Sequence, residues 1–236
     1  MNATLYLYLK SFLRLLFPQD CAVCGDPLRR GESVLCNTCA LSLPLVRFND
    51  FRDNPAARLF WHCVEVERVT SLYYYVPGSP FKGPIVQLKY HNRPDIGRYL
   101  GRLCVLVWQP KGFFEGIDYI IPVPLHRWRL AQRGYNQSEM IARGISSMTG
   151  IPVMTQCIKR TTNTSTQTRK TRIDRWDSMR RIFALVPRYA ETLRGKHLLI
   201  VDDVLTTGAT TASCAQELLT VEGCRVSIIT IAFAYH

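Results

Sequence analysis

The strongest constraint on the fold lies near the carboxyl end, where apolar runs alternate with a hydroxyl-rich turn and an amphipathic segment. HLLIVDD predicts a strand, TTASCAQELLTVEG a helix and RVSIITIAFA a second strand. Upstream, strands are expected at 118–124 and 151–154 and a helix at 133–150. Because a helical crossover joins parallel strands, the alternation predicts an α/β fold, in which a parallel sheet is flanked by helices on both faces.

Two adjacent carboxylates, Asp202 and Asp203, end the first of these strands. Like charges side by side are tolerable where they accept hydrogen bonds or face a cation. The turn Thr206–Thr210 then places hydroxyl groups and a glycine at a helix N-terminus, which favours an anion. A helix cap and turn-filling threonines would explain only one or two of these residues. The ordered run predicts a ligand with a phosphate at one end and vicinal hydroxyls at the other.

Four of the nine cysteines form a pattern of two C-x2-C pairs separated by eleven residues. Two such pairs place four thiolates around one ion, and a set of four leaves no open position for catalysis. We therefore predict a structural zinc module over residues 19–45, rather than two disulfides, which require an oxidising compartment, or a redox-active pair. Its ligands would be Cys21, Cys24, Cys36 and Cys39.

The first eighteen residues show apolar side chains at helical spacing and end at Pro18. Lys10 and Arg14 interrupt the run, and no small-residue cleavage site follows, so a signal peptide is not expected. No apolar stretch approaches the ~20 residues that cross a bilayer. We expect an amphipathic helix over 1–18, docked on the body of the protein or on a partner or membrane surface. The protein is expected to be cytoplasmic, and membrane-proximal if this helix lies on a membrane surface.

Positive charge is concentrated in one part of the chain, although 47% hydrophobic and 20% charged residues describe an ordinary globular protein overall. Residues 126–181 hold 12 of the 30 Lys and Arg residues but only three acids, a balance of +9 out of the formal +12. Such a concentration indicates a polyanionic ligand, either phosphates or nucleic acid. Trp128, Tyr135 and Trp176 would suit base stacking, and the arginines at 127, 129 and 133 would suit a second phosphate group.

The segment LLIVDDVLTTGAT resembles the phosphoribosyl-pyrophosphate (PRPP) motif of type I phosphoribosyltransferases. The resemblance implies that Asp202 and Asp203 are the catalytic acidic pair and hold the ribose hydroxyls. It also implies a Mg²⁺ ion bound with PRPP. The 5′-phosphate loop would consist of Thr206, Thr207, Gly208, Ala209 and Thr210.

A second stretch, PVPLHRWRLAQRGYNQSEMIA (122–142), resembles the signature of the ComF family of competence-associated phosphoribosyltransferase-like proteins. LKY at 88–90 and the segment 164–183 resemble further family positions, in the same order. The resemblance implies a phosphoribosyltransferase-like domain over 60–236. Its pyrophosphate segment would contain His126, Arg127, Arg129 and Arg133, and its flexible loop, which would also contact nucleic acid, would contain Arg169, Lys170, Arg172 and Arg175.

Three functions fit these features. The first is a PRPP-binding protein of DNA uptake that handles single-stranded DNA or a nucleotide ligand, with a helicase-like competence protein as partner. The second is an active phosphoribosyltransferase that transfers the 5-phosphoribosyl group from PRPP to a nitrogen acceptor. The third is a nucleotide-pool sensor that binds PRPP, or another ribose 5-phosphate ester, without making a bond.

Overall fold

The computed structural model describes residues 19–161 and 182–234. The predicted helix over 1–18 and the four basic loop residues at 169, 170, 172 and 175 lie outside these ranges. The helices are α1 (Asn37–Leu41), α2 (Gly83–Tyr90), α3 (Pro94–Trp108), α4 (Arg127–Arg133), α5 (Gln137–Thr149), α6 (Ala190–Leu193) and α7 (Ala209–Leu218). The strands are β1 (Arg68–Tyr74), β2 (Tyr119–Pro122), β3 (Ile158–Arg160), β4 (Phe183–Leu185), β5 (His197–Leu205) and β6 (Arg225–Phe233).

The central sheet is parallel, as predicted, and its order is β1-β6-β5-β2. The predicted strand at 151–154 extends the sheet beyond β2, since Val153 forms a parallel bridge with Ile120. In β5, Leu198 to Val201 are all buried, so both faces of this strand are covered. Helices α3 and α5 pack on each other and on the sheet, and α7 packs on β5 and β6. This arrangement confirms the predicted α/β class and places the carboxyl ends of β2 and β5 side by side.

Helix α5 lies unusually close to α3, and this contact fixes its position relative to the sheet. A Cβ atom on Gly101 of α3 would lie 2.2 Å from the carbonyl oxygen of Ile141 in α5. Only glycine permits this approach. The rigid pairing matters because the first turn of α5 contributes side chains to the candidate site.

One expected element needs correction. The helix predicted for 133–150 begins only at Gln137, because Gly134 adopts a left-handed conformation (φ 77°) that ends the separate helix α4 at Arg133, and the side chain of Asn136 caps α5. The stretch 45–60, between the predicted zinc module and the predicted phosphoribosyltransferase-like domain, is largely irregular, but Phe48 and Phe60 are buried in the main core. Across the two described ranges, no helix combines the length and the apolar character that crossing a membrane requires.

Candidate functional site

A cavity of about 580 Å³ opens at the carboxyl ends of β2 and β5. Side chains from β5, from the segment that follows β2, from α2 and from the α4–α5 region line it. The polar and charged lining residues are Tyr75, Lys89, Tyr90, Arg129, Arg133, Gln137, Ser138, Arg160, Asp202, Asp203, Thr206 and Thr210. The cavity therefore lies where a parallel α/β sheet binds its ligands, and it unites the predicted acidic pair with part of the predicted basic segment.

The two adjacent carboxylates of β5 have different partners. Lys89 of α2 places its Nζ atom 3.0 Å from Asp203 Oδ1. Asp202 Oδ1 accepts hydrogen bonds from the Ser138 hydroxyl and from the Asp203 backbone N–H, both at 2.9 Å. The pair is thus held by one cation and two neutral donors, and the side chains that hold it come from α2 and α5.

The environment of Asp202 disfavours its charged form. Burial raises the pKa of its carboxyl to about 7, and the neighbouring charge of Asp203 acts in the same direction. The hydrogen bonds from Asp203 N–H and Ser138, and the charge of Lys89, lower this pKa but do not offset the burial. A second cation or a hydroxyl-bearing ligand at this position would relieve the repulsion between the two acids.

The raised pKa predicts that stability increases on mild acidification. The folded protein takes up a proton at Asp202 near pH 7, whereas the unfolded chain does so near the ordinary value of 3.8. The contribution of this group to stability is therefore lost as the pH rises through about 7, and gained as it falls toward 4. We expect Asp202→Asn, whose amide oxygen still accepts both bonds, to raise the thermal unfolding midpoint by several degrees near pH ~8 and to flatten this dependence.

Comparing the variant with wild type separates the contribution of Asp202 to the pH dependence of stability from that of His197. Burial lowers the pKa of His197, so its protonation in the unfolded chain destabilises the fold in acid, in both proteins alike. Glu222→Gln is a matched control, because the Glu222 side chain is 81% exposed and lies outside the cavity. If the unfolding midpoints of wild type and Asp202→Asn depend on pH in the same way between pH ~5 and ~8, the raised pKa of Asp202 is contradicted.

The predicted phosphate loop lies between β5 and α7. Thr206 and Thr210 line the cavity. Thr207 instead accepts a long hydrogen bond (3.5 Å) from the Ala209 N–H, and Gly208, at φ 75°, directly precedes α7. The first turn of a helix leaves backbone N–H groups without intrahelical partners. Two threonine hydroxyls and this helix end therefore border the cavity next to the acidic pair.

The predicted pyrophosphate residues divide into two groups. Arg129 and Arg133 of α4 line the cavity, and the Arg133 guanidinium lies 5.3 Å from the centre of the Tyr90 ring. His126 instead caps α4, since its Nδ1 accepts from the Trp128 N–H at 3.4 Å. Arg127 is exposed and does not line the cavity. Of these four predicted residues, Arg129 and Arg133 thus line the cavity that contains the acidic pair.

Sequence reasoning did not assign Lys89, Gln137, Ser138 or Arg160 to the site. Lys89 lies in the LKY segment, and the residues at 137 and 138 lie in the second family-like stretch. The family resemblance therefore included these residues, but it did not indicate what their side chains do. Arg160 was visible only as one more basic residue in the positively charged segment. It is far from the acidic pair along the chain, so the sequence did not indicate that it lines the cavity. Burial lowers the pKa of its guanidinium.

The motif RGYNQ has a structural explanation. The Tyr135 hydroxyl donates to the Leu88 carbonyl at 2.5 Å, at the end of α2 that carries Lys89. Asn136 Nδ2 donates to the carbonyl of Val123, just after β2, at 2.9 Å, and Asn136 Oδ1 accepts from the Ser138 N–H at 3.1 Å. The motif therefore joins α2, the end of β2 and the start of α5 around the cavity.

The four patterned cysteines lie together, with their sulfur atoms all within 4.8 Å of one another. Cys24 and Cys36 are 3.8 Å apart, which matches the separation of about 3.8 Å expected for tetrahedral Zn–S bonds of about 2.3 Å. Backbone N–H groups donate to the sulfurs of Cys21 (3.3 Å) and Cys36 (3.4 Å). Burial would raise the pKa of Cys21, but such N–H bonds lower it to about 7. The cluster could hold a metal ion such as zinc.

The cysteine cluster is coupled to the cavity through α2. Gln87 Nε2 donates to the carbonyl of Ala22, inside the first C-x2-C turn, at 3.2 Å. A Cβ atom on Gly83 would lie 2.3 Å from that same oxygen, so the turn packs directly on the α2 backbone. Because Lys89 lies on the same helix, the cysteine cluster helps to position the lysine that faces Asp203.

Comparison with known proteins agrees with this geometry. Residues 137–236 match the phosphoribosyl transferase domain model. DNA utilization protein YhgH of Shigella flexneri is 31% identical over 220 residues, covering 87% of this chain and 92% of that protein. Competence protein F of Haemophilus influenzae is 26% identical over 200 residues, covering 80% and 86%.

Among solved structures, the glutamine PRPP amidotransferase from B. subtilis, complexed with ADP and GMP, has a TM-score of 0.40 and 18% identity, covering 61% of this chain and 30% of that chain. The domain match places a type I phosphoribosyltransferase fold in the carboxyl part of the chain. Together with the relatives that match over most of its length, it shows that the chain belongs to the ComF family, which includes DNA utilization protein YhgH and competence protein F.

Proposed function

We propose that this protein binds PRPP, or a related ribose 5-phosphate ester, and acts in DNA uptake or use. The observation that carries the proposal is the union, in one cavity, of the acidic pair, the hydroxyl-rich helix start and two arginines of α4. Each part of PRPP has a chemical counterpart there: carboxylates for the ribose hydroxyls, threonines for the 5-phosphate and arginines for the diphosphate. The names of the relatives support the role in DNA use.

We also propose the two metals expected from the sequence. Asp202 and Asp203 offer the oxygen ligands that Mg²⁺ prefers, together with ligand phosphates and water. When bound, Mg²⁺ would lower the charge of the diphosphate. Zinc in the cysteine cluster would have a structural role, since four thiolates leave no open position.

A single screen separates binding from catalysis. Wild-type protein is incubated with Mg²⁺ and PRPP, alone and with nucleobases, ammonia or oligonucleotides, while pyrophosphate release is measured. We expect PRPP binding in a parallel calorimetric titration and no release above the rate of the Asp203→Asn variant. Release that depends on one nitrogen acceptor would favour the second candidate, an active phosphoribosyltransferase. Absence of PRPP and ribose 5-phosphate binding would contradict both.

Single-stranded DNA is the second ligand that we propose, bound by the positively charged segment 126–181, of which Arg129, Arg133 and Arg160 line the cavity. Trp128 is 61% exposed in α4 and is available for stacking. A helicase-like protein of the uptake machinery remains a proposed partner. Binding is expected to depend weakly on sequence and strongly on salt, because phosphate contacts release counterions.

The salt dependence gives a quantitative prediction. Each phosphate contact on a single strand contributes about −0.7 to the log–log slope, so four to six contacts give about −3 to −4. Neutralising Arg169, Lys170 and Arg172 together should flatten the slope by about 2. Trp128→Ala should weaken DNA binding but leave the salt slope unchanged. Fluorescence anisotropy with a labelled oligonucleotide measures both effects.

A triple variant elsewhere on the surface controls for net charge. Arg47, Arg98 and Arg102 are exposed and lie outside the segment, so their neutralisation should change the slope much less. Equal slopes for the two triple variants, or a wild-type slope near zero, would show that the positively charged segment does not bind DNA. Its role would then be restricted to binding the phosphates of PRPP.

A further inference from the structure

Gln137, the first residue of α5, is a buried polar side chain. It lines the cavity, is 1% exposed, and its Nε2 atom is buried without a hydrogen-bond partner in the part of the chain that the structure describes. Leaving a buried donor unsatisfied costs folding free energy that an apolar side chain of the same shape would not. The unpaired donor therefore points to a ligand atom as its partner.

Both neighbours of Gln137 are anchored. Asn136 is bound to the carbonyl of Val123 after β2, and the Ser138 hydroxyl is bound to Asp202 of β5. Helix α5 is also fixed by its close packing on α3 at Gly101. The backbone at position 137 is thus held on both sides, and its side chain lines the cavity from a rigid element.

The surroundings indicate which ligand atom the amide meets. Arg129 and Arg133, which line the cavity, belong to α4, and only three residues separate α4 from Gln137. An amide N–H that lines the same cavity as two guanidinium groups suits an anionic oxygen. On the proposed function, the carboxylates serve the ribose hydroxyls and Thr206 and Thr210 serve the 5-phosphate, so the anionic group that remains is the diphosphate on C1.

We propose that Gln137 is a specificity-determining residue whose side-chain amide donates a hydrogen bond to the C1 diphosphate of the bound ligand. This inference rests on the proposed function and assigns a donor that distinguishes PRPP from ribose 5-phosphate. The role of Gln137 is selective binding of the diphosphate-bearing ligand.

The test is Gln137→Met, which keeps the length of the side chain and removes its hydrogen-bonding groups, with Gln137→Leu as a second variant. Calorimetry is carried out with Mg²⁺-PRPP and with ribose 5-phosphate, and thermal unfolding without ligand. We expect PRPP affinity to fall about 10- to 150-fold, ribose 5-phosphate affinity to change less than about twofold, and the unfolding midpoint to stay constant or rise. Gln156→Leu, at an exposed glutamine outside the cavity, should change neither affinity.

The stability measurement separates this role from a structural one. If both variants unfold earlier and lose affinity for both ligands equally, the amide holds the fold together and the inference is wrong. Wild-type affinity of either folded variant for PRPP would also overturn it. If the wild-type protein binds neither ligand, the proposed function itself fails, and this outcome is recognised before any variant is compared.

Discussion

Replacement of Cys36 by Ser is expected to release the bound metal and to lower the thermal unfolding midpoint by roughly 10 °C. Loss of a structural metal is among the changes that cost more than about 4 kcal/mol, and in a chain of this size each kcal/mol corresponds to about 2–4 °C. Metal binding and folding of such a small module are coupled. Elemental analysis and differential scanning calorimetry measure the two effects.

Cys63→Ser is the matched control, because Cys63 is an exposed free cysteine outside the cluster. Its midpoint should remain within about 2 °C of wild type. Because the first C-x2-C turn packs on α2 through Ala22 and Gln87, we also expect Cys36→Ser, but not Cys63→Ser, to weaken PRPP binding through displacement of Lys89. Wild-type protein with much less than one zinc per chain would contradict the zinc assignment, as would a Cys36→Ser variant of unchanged stability.

Asp203→Asn is expected to weaken Mg²⁺-PRPP binding by about 10- to 150-fold, the effect of removing one partner of a charged hydrogen bond. Asp203 faces Lys89 at 3.0 Å, so the substitution also leaves that ammonium group without its carboxylate. Thr207→Val should have a smaller effect, roughly 2- to 10-fold, because its hydroxyl is a hydrogen-bond partner of the Ala209 N–H within the loop. Isothermal titration calorimetry gives both constants.

Two conservative substitutions elsewhere show whether these losses are local. Glu222→Gln removes an exposed carboxylate, and Thr220→Val removes a hydroxyl after α7, where Thr220 donates to the Glu217 carbonyl. Neither residue lines the cavity, and both variants should bind PRPP as wild type does. An Asp203→Asn variant that binds equally well would remove the acidic pair from the ligand site.

The parallel sheet could be predicted from the sequence because its signal is local. The run from 197 to 234 alternates a buried strand, a helix and a buried strand, and each of these has its own period of hydrophobic residues. The boundary within 133–150 could not be predicted from that period. It depends on the left-handed conformation of Gly134 and on the cap at Asn136, two single-residue effects that interrupt an otherwise continuous helical pattern.

The candidate site likewise has a part that the sequence predicts locally and a part that depends on contacts between distant residues. Carboxylates followed directly by threonines are contiguous in the chain, so their chemistry could be read from one stretch. Lys89 and Arg160 reach the cavity only through the folding of α2 and β3, and no local pattern marks a residue whose partner is more than forty positions away. The roles of His126 and Arg127 were predicted from their position in a motif, whereas the fold uses one as a helix cap and exposes the other.

A crystal structure of the wild-type protein with Mg²⁺ and PRPP is the most direct test of the account. We expect one ligand per chain in the cavity, with its 5-phosphate at Thr206 and Thr210, its ribose hydroxyls on Asp202 and Asp203, and its diphosphate beside the α4 arginines. Density for PRPP at another surface, or a cavity that stays empty at saturating ligand, would contradict the central claim that this cavity is a phosphoribosyl site.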